Sequence, residues 1–227
     1  MTQAQMPKRL LCVFAHPDDE ALGPGGTIAL WSRNGAEIHL LCATKGQAGI
    51  NPTSRNIEVV REEELRKSAA ILGIQAVSFL DFKDGCICNN EMLQLEEKIA
   101  EKIQSFQPDA LLTFALDGVS GHLDHIAVAS STTQAFKKTG IPRILYYYTE
   151  RKVFTDRMPD YFILFPKGKT KDQVDLVNDI SEVWATCVKA MYAHESQTKD
   201  LSWIYPILES LDKEEYFLIR KQPSHSP

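Results

Sequence analysis

The sequence predicts an α/β fold: a single Rossmann-like, three-layer domain in which a mostly parallel sheet carries helices on both faces. Apolar runs of strand length alternate with segments of helical periodicity, which is the pattern of a parallel sheet built from crossover units. The chain has 227 residues, of which 44% are hydrophobic, enough to fill the core of one such domain. We therefore expect residues 1–227 to form one domain, with 1–7 and 221–227 as loose tails.

Three apolar runs mark the first half of the predicted sheet. Residues 9–15, 37–44 and 76–82 are rich in aliphatic and aromatic side chains, and they predict the first three strands. Helices are expected between them over 26–34 and 56–72. Each of these helices is followed directly by a glycine, which readily adopts the left-handed conformation found after helix C-termini.

The second half continues the alternation. A helix over 90–106 stops before Pro108, because the residue that precedes a proline is disfavoured in the helical conformation. An apolar run at 110–115 predicts the fourth strand. The remaining predicted elements are a helix that ends at 138, a fifth strand at 143–149, a candidate edge strand at 161–165, and helices at 172–193 and 199–211.

Two polar clusters follow the first and fourth predicted strands. Residues 16–20 (HPDDE) come directly after the first strand, and residues 122–125 (HLDH) follow the fourth. Right-handed crossovers most simply give the strand order 3-2-1-4-5, which places strands 1 and 4 side by side. Ligands of such sheets bind at the carboxyl ends of the strands where the winding reverses. We therefore expect the two clusters to face each other across one cleft.

The residue types in these clusters suit a catalytic metal site. Catalytic zinc takes three protein ligands, commonly histidine and carboxylate, and keeps one position for water. His16, one aspartate and one histidine of the second cluster would supply three ligands, and the other aspartate could act as base. The spacing does not say which of Asp18 and Asp19 is which. The alternative is that the aspartates cap helices and that His122 and His125 simply begin one, but the pairing of the clusters at adjacent strand ends favours the metal site.

Arg61 stands on the apolar stripe of the helix predicted over 56–72. A guanidinium on a buried face is costly unless it is paired, and Glu64, one turn away, is a candidate partner. The alternative is that the Arg61 stem packs on the core while the charged head reaches solvent.

Composition excludes several classes of function. The net charge is −5, and no basic run is longer than a pair, which argues against nucleic acid as a partner. No apolar stretch approaches the ~20 residues that a membrane-spanning helix needs, and the N-terminus lacks the apolar core of a signal peptide. The five cysteines, an odd number, predict reduced thiols and a cytoplasmic location. Cys86 and Cys88 form a C-x-C without a second pair, so we leave them out of the site.

Six short motifs occur in order along the chain: AHPDDE at 15–20, GGT at 25–27, TKGQAG at 44–49, REEEL at 61–65, GHLDH at 121–125 and HESQ at 194–197. Together they resemble the PIG-L/LmbE family of metal-dependent N-deacetylases. The first and the GHLDH motif together are the most specific, and the matches run in order along most of the chain. Gln47 departs from the pattern, since the family frequently has glutamate there.

The resemblance implies a zinc enzyme, with iron(II) or another divalent metal as the alternative, that removes the acetyl group from N-acetylglucosamine-type conjugates to give acetate and a free amine. It implies the following roles: His16, Asp19 and His125 as metal ligands, Asp18 as general base, His122 near the carbonyl oxygen, Asp124 orienting His122, Arg61 placing the sugar, and His194 at the pocket entrance or at a helix end without a catalytic part.

Two other functions remain open on the sequence. One is a metal- or sugar-binding protein of the same fold without turnover, which the presence of Asp18 disfavours because a binder needs no base beside the metal. The other is hydrolysis of another small amide at the same centre. The expected partner is a small-molecule amino-sugar conjugate, and a homo-oligomer is possible.

Overall fold

Seven strands form one sheet in the computed structural model, which describes residues 6–149 and 166–222. The strands are β1 (Arg9–Phe14), β2 (Glu37–Thr44), β3 (Ala76–Phe82), β4 (Ala110–Phe114), β5 (Arg143–Tyr148), β6 (Leu176–Asp179) and β7 (Glu214–Lys221). Their order across the sheet is β3-β2-β1-β4-β5-β7-β6. The first five are parallel, which confirms the predicted order 3-2-1-4-5, and β7 pairs antiparallel with both β5 and β6.

The helices of the described residues fall into two packed groups around this sheet. They are α1 (Asp19–Leu22), α2 (Gly25–Arg33), α3 (Ile57–Leu72), α4 (Met92–Phe106), α5 (Leu123–Thr139), α6 (Trp184–Tyr192) and α7 (Thr198–Glu209). Helix α4 packs on α5, whereas α2 and α3 pack on α6. Helix α3 shows the expected signals at both ends: the Asn56 side chain accepts a hydrogen bond from the Glu58 N–H, and Gly73 follows with φ 79°. None of the described helices is long and apolar enough to cross a bilayer.

The prediction of a helix over 172–193 is wrong for its first half. Residues 176–179 form the short strand β6, in which Leu176 and Asn178 are buried and alternate with more exposed neighbours, and only Trp184–Tyr192 is α-helical. The alternation of buried and exposed residues in β6 covers only four residues, which is too short to predict a strand. The strand forms because it pairs with β7. The candidate edge strand at 161–165 lies outside the described residues.

The predicted C-terminal tail begins too early. Lys221 is the last residue of β7 and pairs with Arg143 of β5. The apolar centre of β7, Tyr216–Ile219, is short and has charged residues on both sides, so the sequence pattern does not indicate a strand. The strand forms because it pairs with β5.

The two central strands carry the core to the edge of the site. Every residue from Leu10 to Phe14 is fully buried, and β4 is buried along its whole length. Such continuous apolar runs are typical of parallel strands that helices cover on both faces. Because β1 and β4 are hydrogen-bonded neighbours, the residues that follow them emerge side by side.

Candidate metal centre and its cavity

The two predicted clusters meet at the carboxyl ends of β1 and β4, in one cavity of about 360 Å³. Residues of both clusters line it, and helix α7 contributes further lining residues. The lining includes His16, Asp18, Asp19, Arg61, Asp84, Phe114, Ser120, His122, His125, Tyr147, Gln197, Asp200, Trp203, Ile204 and Leu208. The structure therefore brings the residues of both motifs to one site, as the strand order predicted.

Donor atoms of His16, Asp19 and His125 lie close to one another. The His16 Nδ1 lies 3.2 Å from the His125 Nε2, which in turn lies 3.2 Å from the Asp19 Oδ1. The His16 Nδ1 is also 3.7 Å from the Asp19 Oδ2. Ligands at ~2.0–2.1 Å from a tetrahedral ion are about 3.3 Å from one another. The two separations of 3.2 Å therefore match the spacing of neighbouring ligands of one ion.

The outer nitrogen of each of these histidines is held by the protein. The His16 Nε2 lies 3.0 Å from the Asp84 Oδ1 and 3.2 Å from the Asp124 Oδ2. The His125 Nδ1 lies 3.0 Å from the Gly118 carbonyl oxygen, and its ring stacks on Phe114. In a neutral ring these acceptors favour the tautomer with the proton on the outer nitrogen, which leaves the inner nitrogen as the one that can bind a metal. Metal-binding histidines are commonly oriented in this way.

The electrostatics of the site favour a positive charge at the same place. Burial alone would lower the pKa of His16, but the carboxylates of Asp124, Asp84 and Asp19 raise it to about 10. Burial likewise opposes ionisation of Asp19, yet the neighbouring His125 and His16 hold the pKa of that carboxyl well below its usual range. The carboxylates that stabilise a protonated imidazole here would also stabilise a bound metal cation.

The two adjacent aspartates have different environments. The Asp19 Oδ2 accepts hydrogen bonds from the N–H groups of Ala15 (3.1 Å) and His16 (2.7 Å), which turns its Oδ1 towards His125. The Asp18 Oδ2 instead accepts a hydrogen bond of 2.9 Å from Arg61. Burial raises the pKa of Asp18 to about 6, although Arg61 opposes the shift. Asp19 therefore presents one oxygen to His125, whereas Asp18 presents one to Arg61.

Arg61 is buried, and its guanidinium spans the loops around the cavity. It donates to the Gly46 carbonyl oxygen at 2.9 Å and to the Pro17 carbonyl oxygen, in addition to Asp18. Glu64, the predicted partner, is occupied elsewhere: its carboxylate accepts from the Ser196 N–H and hydroxyl, each at 2.7 Å. The guanidinium faces the loop that follows β1 because the apolar stripe of α3 packs inward.

His122 is the N-cap residue of α5. Its Nδ1 accepts a hydrogen bond of 3.2 Å from the Asp124 N–H, so a neutral ring carries its proton on Nε2. Burial and the neighbouring His16 and His125 lower the pKa of His122, which favours the neutral ring. The Asp124 carboxylate contacts His16 and accepts N–H bonds from Gly85 (2.7 Å) and Ile87 (3.1 Å). Asp124 thus meets His122 through its backbone, while its side chain supports His16.

His194 does not lie at the cavity entrance. Its side chain is buried beneath the site, where its Nε2 lies 2.8 Å from the Glu20 Oε1. The turn after α6 directs the ring towards α1, so we do not assign it a contact with substrate.

Asp84 is a site residue that the motifs did not identify. It follows β3, and its Oδ2 accepts a 2.9 Å hydrogen bond from the Ala48 N–H while its Oδ1 contacts His16. The one feature of the sequence that could have pointed to Asp84 is its position just after a predicted parallel strand. The nearby Cys86 and Cys88 are free and exposed, and neither belongs to a potential three-ligand group within the described part of the chain.

The chain is similar to known proteins over most of its length. A family model described as GlcNAc-PI de-N-acetylase (PIG-L) matches residues 11–136. A Bacillus cereus protein named probable N-acetyl-alpha-D-glucosaminyl L-malate deacetylase 2 is 31% identical over 203 residues, which cover 86% of this chain and 86% of the relative.

Two solved structures share the fold. The N,N'-diacetylchitobiose deacetylase of Pyrococcus horikoshii matches with a TM-score of 0.72 and 21% identity, covering 95% of this chain and 84% of that one. GalB, the 4-carboxy-2-hydroxymuconate hydratase of Pseudomonas putida KT2440, matches with a TM-score of 0.64 and 19% identity, covering 97% and 99%. Because these two proteins differ in chemistry, the side chains of the site and not the fold must indicate the reaction.

Proposed function

Because the chain belongs to the GlcNAc-PI de-N-acetylase (PIG-L) family, we propose that it is a metal-dependent N-deacetylase. Its substrate would be a small N-acetylglucosamine-type conjugate, and its products acetate and a free amine. The convergence of the inner donor atoms of His16, Asp19 and His125 beside the carboxylate of Asp18 is the observation that carries this proposal.

His16, Asp19 and His125 would hold the metal. Two imidazole nitrogens and one carboxylate oxygen suit zinc, and the same set of donors also suits iron(II). A divalent ion bound there would polarise the acetyl carbonyl and make water a stronger acid. Asp84 and Asp124 act as positioning residues, because their carboxylates fix the ring of His16.

Asp18 is the proposed general base. Its carboxylate lines the cavity beside the ligands, and with a pKa of about 6 it is mostly ionised at neutral pH. It can take a proton from the attacking water and deliver it to the departing amine nitrogen. Arg61 holds the Asp18 carboxylate in place, and as a lining residue it is also available to place the sugar.

His122 is proposed to stabilise the acetyl oxygen as negative charge develops. His122 lines the cavity and its Nδ1 accepts from the Asp124 N–H, so in a neutral ring the Nε2–H would be the donor for this role. The proposed form is therefore a neutral imidazole that donates a hydrogen bond, and the reaction does not need His122 to be cationic.

Acetate release tests the proposal directly. The protein is stripped of metal, reconstituted separately with zinc and iron(II), and incubated with a panel of N-acetylglucosaminyl conjugates that differ in the aglycone. We expect release from at least one conjugate with reconstituted protein, little with stripped protein, and little with reconstituted Asp18→Asn.

The alternatives give different results in the same experiment. Binding of the conjugates without release from any of them would support a metal- or sugar-binding protein without turnover. Release from simple acetamides but from no sugar conjugate would support a hydrolase of another small amide.

We also propose a cytoplasmic location. All five cysteines are free, with Cys86 and Cys88 exposed, and reduced thiols are typical of the cytosol. Labelling of the two exposed thiols in intact cells by a permeant reagent, and not by an impermeant one, is the expected result.

A further inference from the structure

The backbone of Asp18 has an unusual conformation. Its φ is 116°, a region that residues with a side chain rarely adopt. Its carbonyl oxygen nevertheless accepts hydrogen bonds from the N–H groups of Ala21 (3.0 Å) and Leu22 (2.9 Å), which begin α1. Such a conformation persists at a functional site only when surrounding contacts impose it.

Glu20 supplies one of these contacts from below. The side chain of Glu20 is fully buried, and its Oε2 accepts a hydrogen bond of 3.1 Å from the Asp18 N–H. Its other oxygen, Oε1, is held by the Ser68 hydroxyl of α3 and lies 2.8 Å from the His194 Nε2. Both oxygens of the carboxylate are therefore used, one by the Asp18 backbone and one by two distant parts of the chain.

This arrangement differs from the contacts of the Asp18 side chain. Arg61 binds the Asp18 carboxylate and the Pro17 carbonyl oxygen, so it restrains the Asp18 side chain and the peptide bond that precedes it. Glu20 accepts a hydrogen bond from the N–H of that same peptide bond. Together the two contacts leave the Asp18 peptide little freedom to rotate.

We propose that Glu20, anchored by His194 and Ser68, is a positioning residue that holds the Asp18 backbone in the conformation that directs the Asp18 carboxylate into the cavity. The proposal rests on the proposed function, in which Asp18 is the base. It also gives His194 a role behind the site, through Glu20, in place of contact with substrate.

Two substitutions at position 20 separate positioning from simple packing. Glu20→Met keeps a similar volume but removes the acceptor for the Asp18 N–H, whereas Glu20→Gln keeps an amide oxygen that can accept it. We expect Glu20→Met to lower kcat by about 10- to 100-fold, because small misplacements of a reacting group are costly. KM and metal content should stay near those of the wild type, and Glu20→Gln should retain most of the activity.

Glu64→Met is the matched control. Glu64 is also a buried carboxylate that accepts two hydrogen bonds, but these come from Ser196. The control should lose thermal stability to a similar extent without the loss in kcat. A Glu20→Met protein that folds, binds metal and turns over like Glu64→Met would overturn the proposal.

A double-mutant cycle tests whether Glu20 acts through Asp18. In the Asp18→Asn background there is no base to position, so adding Glu20→Met should not lower the residual rate further. If the two losses multiply, Glu20 contributes independently of Asp18 and the inference is wrong.

If Glu20→Met does not fold, Glu20→Asp replaces it in the same assays. The shorter side chain keeps the charge but cannot reach from His194 to the Asp18 N–H, so kcat should again fall while metal content stays unchanged. An unaltered kcat for Glu20→Asp would count against the proposal.

Crystal structures of the variants give a readout that does not depend on activity. In Glu20→Met or Glu20→Asp, Asp18 should leave the positive φ region or lose its contact with Arg61, and in Glu20→Gln it should keep both. If Asp18 keeps its positive φ and its contact with Arg61 in Glu20→Met, the positioning role is refuted regardless of the activity of the variant. Inactivity of the wild-type protein on every conjugate would instead refute the proposed function.

Discussion

Neighbouring residues of one motif have distinct environments in this site. Asp19 lies at the start of α1 and receives two backbone N–H bonds, whereas Asp18 has a positive φ and contacts Arg61. The two histidines of the second motif also differ. The His125 Nδ1 contacts the Gly118 carbonyl oxygen, whereas the His122 Nδ1 accepts from the N–H of Asp124 and so caps α5. Contacts of this kind decide which atoms of each side chain face the other residues of the cavity.

Amide substitutions should separate the two aspartates. Asp18→Asn should keep its metal and lose activity by about 10²–10⁴-fold, because a general base of this type contributes that much. Asp19→Asn should lose metal and activity together, since its amide is a poorer ligand. Metal content after extensive dialysis, measured alongside kcat, checks both expectations, and a folded but metal-free Asp18→Asn would reverse the assignment.

Replacing His122 with asparagine should remove the donor and keep the helix. Asparagine is a good N-cap residue, so α5 should remain stable, but its short amide cannot place a donor where the imidazole Nε2–H lies. We expect kcat to fall by about 10²–10³-fold with unchanged metal content, the usual loss when one oxyanion donor is removed. Thermal unfolding serves as the control, and near-normal turnover would mean that His122 only caps the helix.

At the scale of elements, the C-terminal strand supports the helix that follows the site loop. Glu215 of β7 is buried, and its two oxygens accept hydrogen bonds from the N–H groups of Gly26 (2.8 Å) and Thr27 (2.7 Å) in the first turn of α2. A Cβ on Gly26 would lie 2.5 Å from a side-chain carbon of Ile180, so the close approach of α2 requires glycine there. The end of the chain thus helps to position the segment after the HPDDE motif.

Glu215 should make stability depend on pH. Burial raises the pKa of Glu215 from 4.5 to about 7, although the hydrogen bonds from Thr27 and Gly26 act to lower it. Its contribution is fully present below pH 4.5, where both states are protonated, and is lost as the pH rises to about 7 because the unfolded chain ionises first. The free energy of unfolding of the wild type, relative to Glu215→Gln, should therefore fall over this range by at most about 3.4 kcal/mol.

Denaturant unfolding of both proteins at several pH values measures this difference. The Gln variant removes the titration and keeps the side-chain shape, so other titrating groups cancel. A difference that rises with pH would mean that the two N–H donors and the α2 N-terminus outweigh burial.

At the scale of the whole molecule, the site depends on adjacency of strands that are far apart in the chain. Leu10 of β1 pairs with Ala110 of β4, and this pairing brings His16 to His125. The proposed ligands therefore join two halves of the parallel sheet, and Trp203 and Ile204 of α7 line the same cavity. Metal binding should accordingly stabilise the folded chain as a unit, because the unfolded chain does not hold these donors together.

Metal should raise the thermal stability of the wild type and not of a ligand variant. At a free metal concentration about 100 times Kd, the gain is about 2.7 kcal/mol. His125→Ala should show little or no increase in Tm on adding zinc, whereas Glu64→Gln, altered away from the donors, should respond like the wild type. Equal increases in all three proteins would place the metal elsewhere.

The sequence alone was sufficient for β1 to β5, their order and the meeting of the two motifs. The strands follow from local periodicity, which can be read from short segments of the chain. Their order follows from the general preference for right-handed crossovers. Strands β6 and β7 could not be predicted in the same way. Their patterns are short and bordered by charges, and β7 is stable because it pairs with β5 at one edge and β6 at the other.

The residue types gathered at the site were likewise present in the motifs, whereas the contacts that each of them makes were decided by the tertiary structure. Which aspartate can bind metal depends on backbone φ and on the N–H groups and guanidinium that face each carboxylate. The partners of Arg61, His194 and Asp84 come from segments distant in the chain. Residue types specify which donors and acceptors are available. Tertiary packing decides which of them form hydrogen bonds, because a buried polar atom can bond only to the groups that the fold places next to it.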